Sequence, residues 1–389
     1  MAGTNDNKPV LRLTELLDKE LQQSMLEAAL AGERLGSTLL FSGPDGSGKS
    51  SLAFWLAAAL NCTVTEGGCA PCGNCPSCRK VEKLIHPDVH WIPPVPGSFY
   101  SGTSRALDEG KLAGEFEKKR SSPWLDLRFS SKAEHHLAAV ARIREEAVKS
   151  RFEGRHKVFV ITGADRLRIE AANAFLKLLE EPLPQVVLIL CSDRPSSLLP
   201  TILSRCQRLS VGRPHTSTAE KVLVERFGIE PARASRLVAA ADGNLTAALR
   251  MNDQEDFDTR KSWVDKTIVA ALDPSMAQCH ELLEDRSGPM WNRGDFERYL
   301  TFLSQSVRDI LVCRLEAGTA SRVEYSSVLD PSEISDYAKR LTDNSLLINL
   351  LGRLVSLQDQ LDRNVNLRLL GLSILQNLRK AAIHGSGNR

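Results

Sequence analysis

A single string of eight residues constrains this chain more than any other: Gly43-Pro44-Asp45-Gly46-Ser47-Gly48-Lys49-Ser50. It fits the pattern G-x4-G-K-[ST] at every fixed position. It stands between a short apolar run, Ser37 to Ser42, and a helix-forming stretch from Ser50 to Leu60. The residue types are those that phosphate binding demands. Glycines permit the backbone angles that turn successive N–H groups toward an anion. Lys49 reaches the outer phosphates, Ser50 is a magnesium ligand with Ser51 behind it, and the helix N-terminus adds a favourable dipole. A fortuitous glycine-rich turn is the plain alternative. A strand before and a helix after favour nucleotide contact, through Gly43, Gly46, Gly48, Lys49, Ser50 and Ser51. ATP with Mg2+ is the expected ligand.

The same alternation continues downstream. Residues 11 to 34 have an amphipathic helical pattern ahead of the first strand. Trp91-Ile92, Lys157 to Thr162 and Val186 to Cys191 are strand-like, and helices are expected from Leu137 and over Ile169 to Glu181, the last stopped by Pro182. Strands alternating with helices predict an α/β class with a parallel sheet covered on both faces. Residues 94 to 134 show no sustained period and are expected to form a partly mobile surface insertion. After Pro214 the strand signal ends. Short helices broken at Gly228, Pro231 and Gly243 give way to long ones. The three-and-four spacing of Phe296, Leu300, Leu303, Val307, Ile310 and Leu311 marks a buried helical face, and a second such stretch spans Leu346 to Leu361. Three domains are expected: 1–212 binding nucleotide, a small helical lid at 213–255, and an all-α collar at 256–389.

Nine cysteines occur, five of them within residues 62 to 78. Cys72-Gly73-Asn74-Cys75-Pro76-Ser77-Cys78 has the two-residue spacing that lets thiolates converge on one tetrahedral ion, and zinc is expected. An iron–sulfur cluster and a redox cluster are the competing readings. Four ligands are wanted and five are present, so either Cys62 or Cys69 is spare. The longest apolar runs fall well short of a membrane span, and Met1-Ala2-Gly3-Thr4 opens no signal pattern, which predicts a cytoplasmic protein. Fifty basic against 48 acidic residues leave a formal charge of +2, too small to capture DNA through a global field.

Several of these segments together resemble one family in wording and order: bacterial DNA polymerase III clamp-loader subunits of the AAA+ class. They are Lys157 to Leu167, Ala171 to Pro182, Ile202-Leu203-Ser204-Arg205-Cys206-Gln207, and Leu60-Asn61-Cys62 followed by Pro71 to Cys78. The resemblance covers about 11 to 92 and 137 to 250, and more weakly the tail, where Asp362 to Asn366 is similar to a collar segment. It implies a subunit of a ring that loads a sliding clamp onto primer-template DNA, with gamma/tau and delta subunits as neighbours. It implies zinc on Cys62, Cys72, Cys75 and Cys78, although the gap from Cys62 to Cys72 is one residue longer than usual and keeps Cys69 in play. It also implies that Arg205 reaches a neighbour's nucleotide as an arginine finger.

The departures from the family pattern choose among its members. An active motor carries an acidic pair after the strand at 157–161, where this chain has Thr162-Gly163. Asp165 lies beyond the strand end and is expected to point away from the reacting phosphate. Thr246 replaces an expected lid arginine, and Asp193 replaces a neutral polar residue, placing an acid where a triphosphate is disfavoured. These losses match the delta-prime type, a stator that donates its arginine and holds ATP without splitting it. A gamma/tau-type ATPase and a zinc-containing DNA-binding regulator are the competing functions.

Overall fold

Why the phosphate-loop strand sits at the centre of a sheet follows from its residues. Leu39, Leu40 and Phe41 leave no polar face, so the strand needs cover on both sides. This computed structural model describes residues 12–64, 70–101, 106–121, 127, 129, 132–252, 254–275, 277–315, 329–360 and 365–383. The chain divides into two units, Met1–Phe227 and Gly228–Arg389.

In chain order the first unit contains α1 (Glu20–Ala31), β1 (Thr38–Ser42), α2 (Lys49–Asn61), α3 (Pro76–Glu82) and β2 (Val89–Ile92). The short β3 (Val95–Pro96), β4 (Tyr100–Ser101) and β5 (Ala106–Leu107) lead to α4 (Glu109–Ser121) and β6 (Ala133–Glu134). Then follow α5 (Leu137–Val148), β7 (Lys157–Ile161), α6 (Ile169–Glu180), β8 (Val186–Ser192), α7 (Pro200–Leu203), β9 (Gln207–Ser210) and α8 (Thr216–Phe227). Five strands form one all-parallel sheet in the order β2-β7-β8-β1-β9.

Alternate residues of each inner strand point to opposite faces. Leu39, Phe41, Val158, Val160, Val187 and Ile189 pack with the apolar residues of α2. Leu40, Phe159, Ile161, Leu188 and Leu190 pack with α5 and α6. Both faces are therefore dry, which is the doubly covered α/β arrangement. It places the C-terminal ends of β1, β8 and β7 side by side.

Long-range polar contacts fix this layout. Lys157, 3% exposed, sends its ammonium to the carbonyls of Glu146 at 2.8 Å, Lys149 at 2.9 Å and Ser150 at 3.3 Å, capping the end of α5. The buried Asp88 carboxylate accepts the amides of Phe152 and Glu153, each at 2.8 Å, and of Gly154 at 2.7 Å.

Two sequence expectations need correction here. The first helix begins at Glu20, because Leu13 and Thr14 are bound to Glu82 instead: both amides donate to its carboxylate, and Thr14 Oγ1 does so at 2.7 Å. The 94–134 segment, read as a partly mobile surface insertion with no sustained period, contains the thirteen-residue α4. Its Phe116 stacks on Trp91 at 5.1 Å and Arg120 Nε donates to the Lys83 carbonyl at 2.8 Å.

The second unit is helical throughout its described residues: α9 (Pro231–Ala240), α10 (Leu245–Met251), α11 (Gln254–Leu272), α12 (Ala277–Glu284), α13 (Arg293–Leu315), α14 (Pro331–Arg340), α15 (Asn344–Gln360) and α16 (Leu367–Ile383). The stripe read from the sequence is the buried face of α13, which packs against α11, α14 and α15. Arg314 near its end donates to Asn344 Oδ1 and to the carbonyls of Ala338 and Thr342, tying α13 to the turn between α14 and α15. Of the collar-like segment 362–366, Asp362, Arg363 and Asn364 lie outside the described residues. Among the described residues, no helix is long and apolar enough to cross a membrane.

Candidate functional site

Gly43 leaves β1 with its amide bonded to the Ser192 carbonyl at 3.2 Å. A Cβ there would lie 2.0 Å from the Val211 carbonyl oxygen, so only glycine allows the loop to pass. Gly46 and Gly48 take positive φ, 74° and 82°, and turn the backbone into the start of α2. Lys49 begins that helix, with Ser50 and Ser51 in its first turn. The six residues picked from the sequence thus lie in one loop and the first turn of the helix that follows it, after the end of β1.

Lys49 is 6% exposed and its ammonium is fully engaged. It donates to Gly43 O at 2.8 Å, Pro44 O at 2.7 Å and Ser47 Oγ at 3.1 Å, and pairs with Asp193 Oδ1 at 2.8 Å. Asp193 follows β8, the strand beside β1, so sheet register delivers it to the loop. Burial first, then the nearby Asp45 and Asp165, push its carboxyl above the usual range, against the opposing pull of Lys49. Asp165 turns its carboxylate across to the same place. It accepts the Ser192 hydroxyl and the Asp193 amide, each at 3.1 Å.

At the end of β7, where an acidic pair serves active members of the resembled family, Thr162 holds the structure together. Its hydroxyl accepts the Trp91 indole N–H at 3.1 Å and its carbonyl lies 2.8 Å from His135 Nε2. Burial, the main cause, lowers the His135 pKa to about 4, so at neutral pH the ring is uncharged and its Nε2–H donates to that carbonyl. Sequence reasoning foresaw the missing carboxylates. It missed that Trp91 takes the one hydroxyl left there, a contact set by the pairing of β2 with β7.

Arg205 lies between α7 and β9, over a third exposed. It donates to Thr201 O at 3.0 Å and to Glu180 Oε1 at 3.0 Å. An ion pair with both partners this exposed is weak, which leaves the guanidinium available to a stronger anion. Thr246 is buried in the first turn of α10 behind the Asn244 cap, in the second unit.

A second cluster joins the far end of α2 to α3. Cys62 caps α2, Cys75 caps α3 with Cys78 in its first turn, and Cys72 comes from the loop between. Their four Sγ atoms lie within 4.8 Å of one another, with Cys62 and Cys75 3.9 Å apart. A tetrahedral ion with sulfur at about 2.3 Å sets its ligands about 3.8 Å apart, so the set fits one such ion. Backbone amides support it: Cys75 N donates to Cys72 Sγ at 3.3 Å and Cys78 N to Cys75 Sγ at 3.4 Å. Burial opposes ionisation of Cys75, yet hydrogen bonds from Thr63 and from the Cys78 amide and thiol bring its pKa to about 5. Cys69, the competing ligand, lies outside the described residues.

The comparisons with known proteins agree with this architecture. A family model described as DNA polymerase III, delta subunit matches residues 18–215, just over half of the chain. The DNA polymerase III subunit delta' of Bacillus subtilis (strain 168) is 26% identical over 345 residues, 88% of this chain and 91% of that protein. The subunit delta' of Haemophilus influenzae is 28% identical over 226 residues, 58% of each chain. The subunit tau of B. subtilis is 29% identical over 252 residues, covering 62% of this chain and 37% of that protein. A parallel sheet opened by a phosphate loop, four converging thiols and a near full-length delta' match make one statement: the chain belongs to the DNA polymerase III delta-subunit family, as a clamp-loader subunit of the delta-prime type.

Proposed function

We propose that this chain is the stationary subunit of its clamp loader: it holds nucleotide without splitting it and offers Arg205 to the nucleotide of a neighbouring gamma/tau subunit. One observation carries the reading. The end of β7 presents Thr162 and Gly163, and the Thr162 hydroxyl is already bonded to Trp91, so nothing there ligates magnesium or takes a proton from water. Asp165 is tied by two hydrogen bonds to the end of β8. Arg205, by contrast, is exposed beyond α7 and lightly held, as a group working in another chain's site must be.

Such a cation beside the outer phosphate offsets charge that spreads in the transition state, an effect worth on the order of 10³-fold or more in rate. Cys62, Cys72, Cys75 and Cys78 would hold zinc, a structural ion with no open position when all four thiolates bind. A delta subunit, the sliding clamp and primer-template DNA complete the proposed assembly.

Reconstitution tests the reading. With Arg205→Ala, ATP turnover of the complex should fall at least about tenfold while its size on gel filtration is unchanged. Turnover equal to wild type overturns the finger role. Steady turnover by the isolated chain, abolished by Lys49→Ala, assigns it instead to the gamma/tau motors.

A further inference from the structure

The loop that invites a triphosphate is guarded by a carboxylate in contact with its lysine, and that pairing changes which nucleotide fits. Lys49 has four acceptors around its ammonium, three from the loop itself and the fourth Asp193 Oδ1. The three loop acceptors would stay in place around a phosphate held by the amides of Gly46 to Lys49. The Asp193 position would not. A phosphate-loop cradle takes the α- and β-phosphates, and the lysine spans β and γ. The γ-phosphate therefore extends past the ammonium toward the neighbouring strand ends, and there this protein carries the Asp193 carboxylate, with a second, Asp165, tied behind it to the Asp193 amide.

Asp193 is held with its carboxylate against the loop by Lys49. Its amide is bonded to Asp165 and its side chain is largely buried, about one third exposed. A third negative group set against it, in a partly dry pocket, faces repulsion that water screens poorly, and it also strips Asp193 of its counter-ion. A diphosphate avoids both penalties, because its terminal phosphate stays in the amide cradle and leaves the Lys49–Asp193 pair intact.

We infer that the loop is selective for a nucleoside diphosphate over the corresponding triphosphate, with Asp193 as the residue that discriminates. The inference rests on the reading of residues 43 to 50 as a nucleotide site and goes beyond it by naming the ligand class. The site is then occupied in one state throughout the neighbour's cycle, as suits a subunit that does not turn over.

Calorimetry on the full chain tests this with ADP and ATP, each with and without magnesium, using wild type, Asp193→Asn and Asp193→Ser. Circular dichroism checks that both variants fold. In wild type ADP should bind at least about tenfold more tightly than ATP, and in both variants the ratio should shrink to within about threefold. ATP binding as tightly as ADP in wild type overturns the selectivity and leaves nucleotide binding standing. So does a ratio unchanged in both variants. A magnesium-dependent preference for ATP that disappears in Asp193→Asn also overturns it, by making the carboxylate a metal ligand. No binding of either nucleotide to any of the three proteins removes the nucleotide reading itself, and the selectivity with it.

Discussion

Among single residues, those that do most were legible unequally. Gly43, Gly48, Lys49 and Cys72, Cys75 and Cys78 announce themselves because their chemistry is local, a turn or a metal loop written in nearby letters, whereas Cys62 and Cys69 were left as alternatives for the fourth thiol. Asp193 was legible as an acid in an unusual place, while its bond to Lys49 depends on β8 lying beside β1. Asp88 was not legible at all. It reads as an ordinary acid between His86 and a strand, yet it is 1% exposed and gathers three amides from residues 152 to 154. Burial raises the cost of its charge, but those amides win and hold its carboxyl below the usual carboxylate range. Asp88→Asn should cost about 1–3 kcal/mol in denaturant unfolding at pH 7, since an amide nitrogen meets donors where an oxygen accepted them. The folded state favours the ionised acid, so this contribution is complete above the ordinary value of about 4 and is lost as pH falls through the lower folded value. The gap between wild type and variant should therefore close in strong acid. A gap that persists there assigns the loss to packing.

Elements were easiest to read where one period dominates. β1, β7 and β8 are continuous apolar runs, and α13 carries a clean stripe. The fifth strand, Gln207–Ser210, escaped because an edge strand with three exposed residues has no apolar signature. α4 escaped for a different reason. Its inward face is Leu112, Glu115, Phe116 and Lys119, spaced as a helix requires, but two of the four are charged and the pattern is hidden. Glu115 pairs with the exposed Lys118 at 2.6 Å. The apolar anchor is then Leu112, 4% exposed. Leu112→Ala should weaken the docking of α4 by about 2–4 kcal/mol and expose residues 97–121 to protease, with the rest of the first unit still protected. Unaltered protease sensitivity would mean that Phe116 on Trp91 is the sufficient anchor.

For the molecule as a whole, the prediction concerns its metal. The proposed thiolate ligation would join the end of α2 to the start of α3, so elemental analysis should find about one zinc per chain, and none when Cys75 and Cys78 are both changed to Ser. The double variant should also melt at lower temperature, because binding energy that belonged to the folded state is gone. A full complement of zinc in that variant would move the ligands elsewhere, Cys69 being the first to consider.

The consequence worth drawing lies in α2. Its thirteen residues run about 20 Å, from the amides that would cradle a phosphate to the thiols that would cradle a cation. Those two chemistries are opposite in charge and share one rod pinned at either end. A rod pinned twice would have little freedom to pivot, so with a metal at the thiols the cradle should keep its shape whether or not anything lies in it. Motors need a phosphate sensor that yields; in the role proposed above, the fastening at the far tip would make this sensor a fixture.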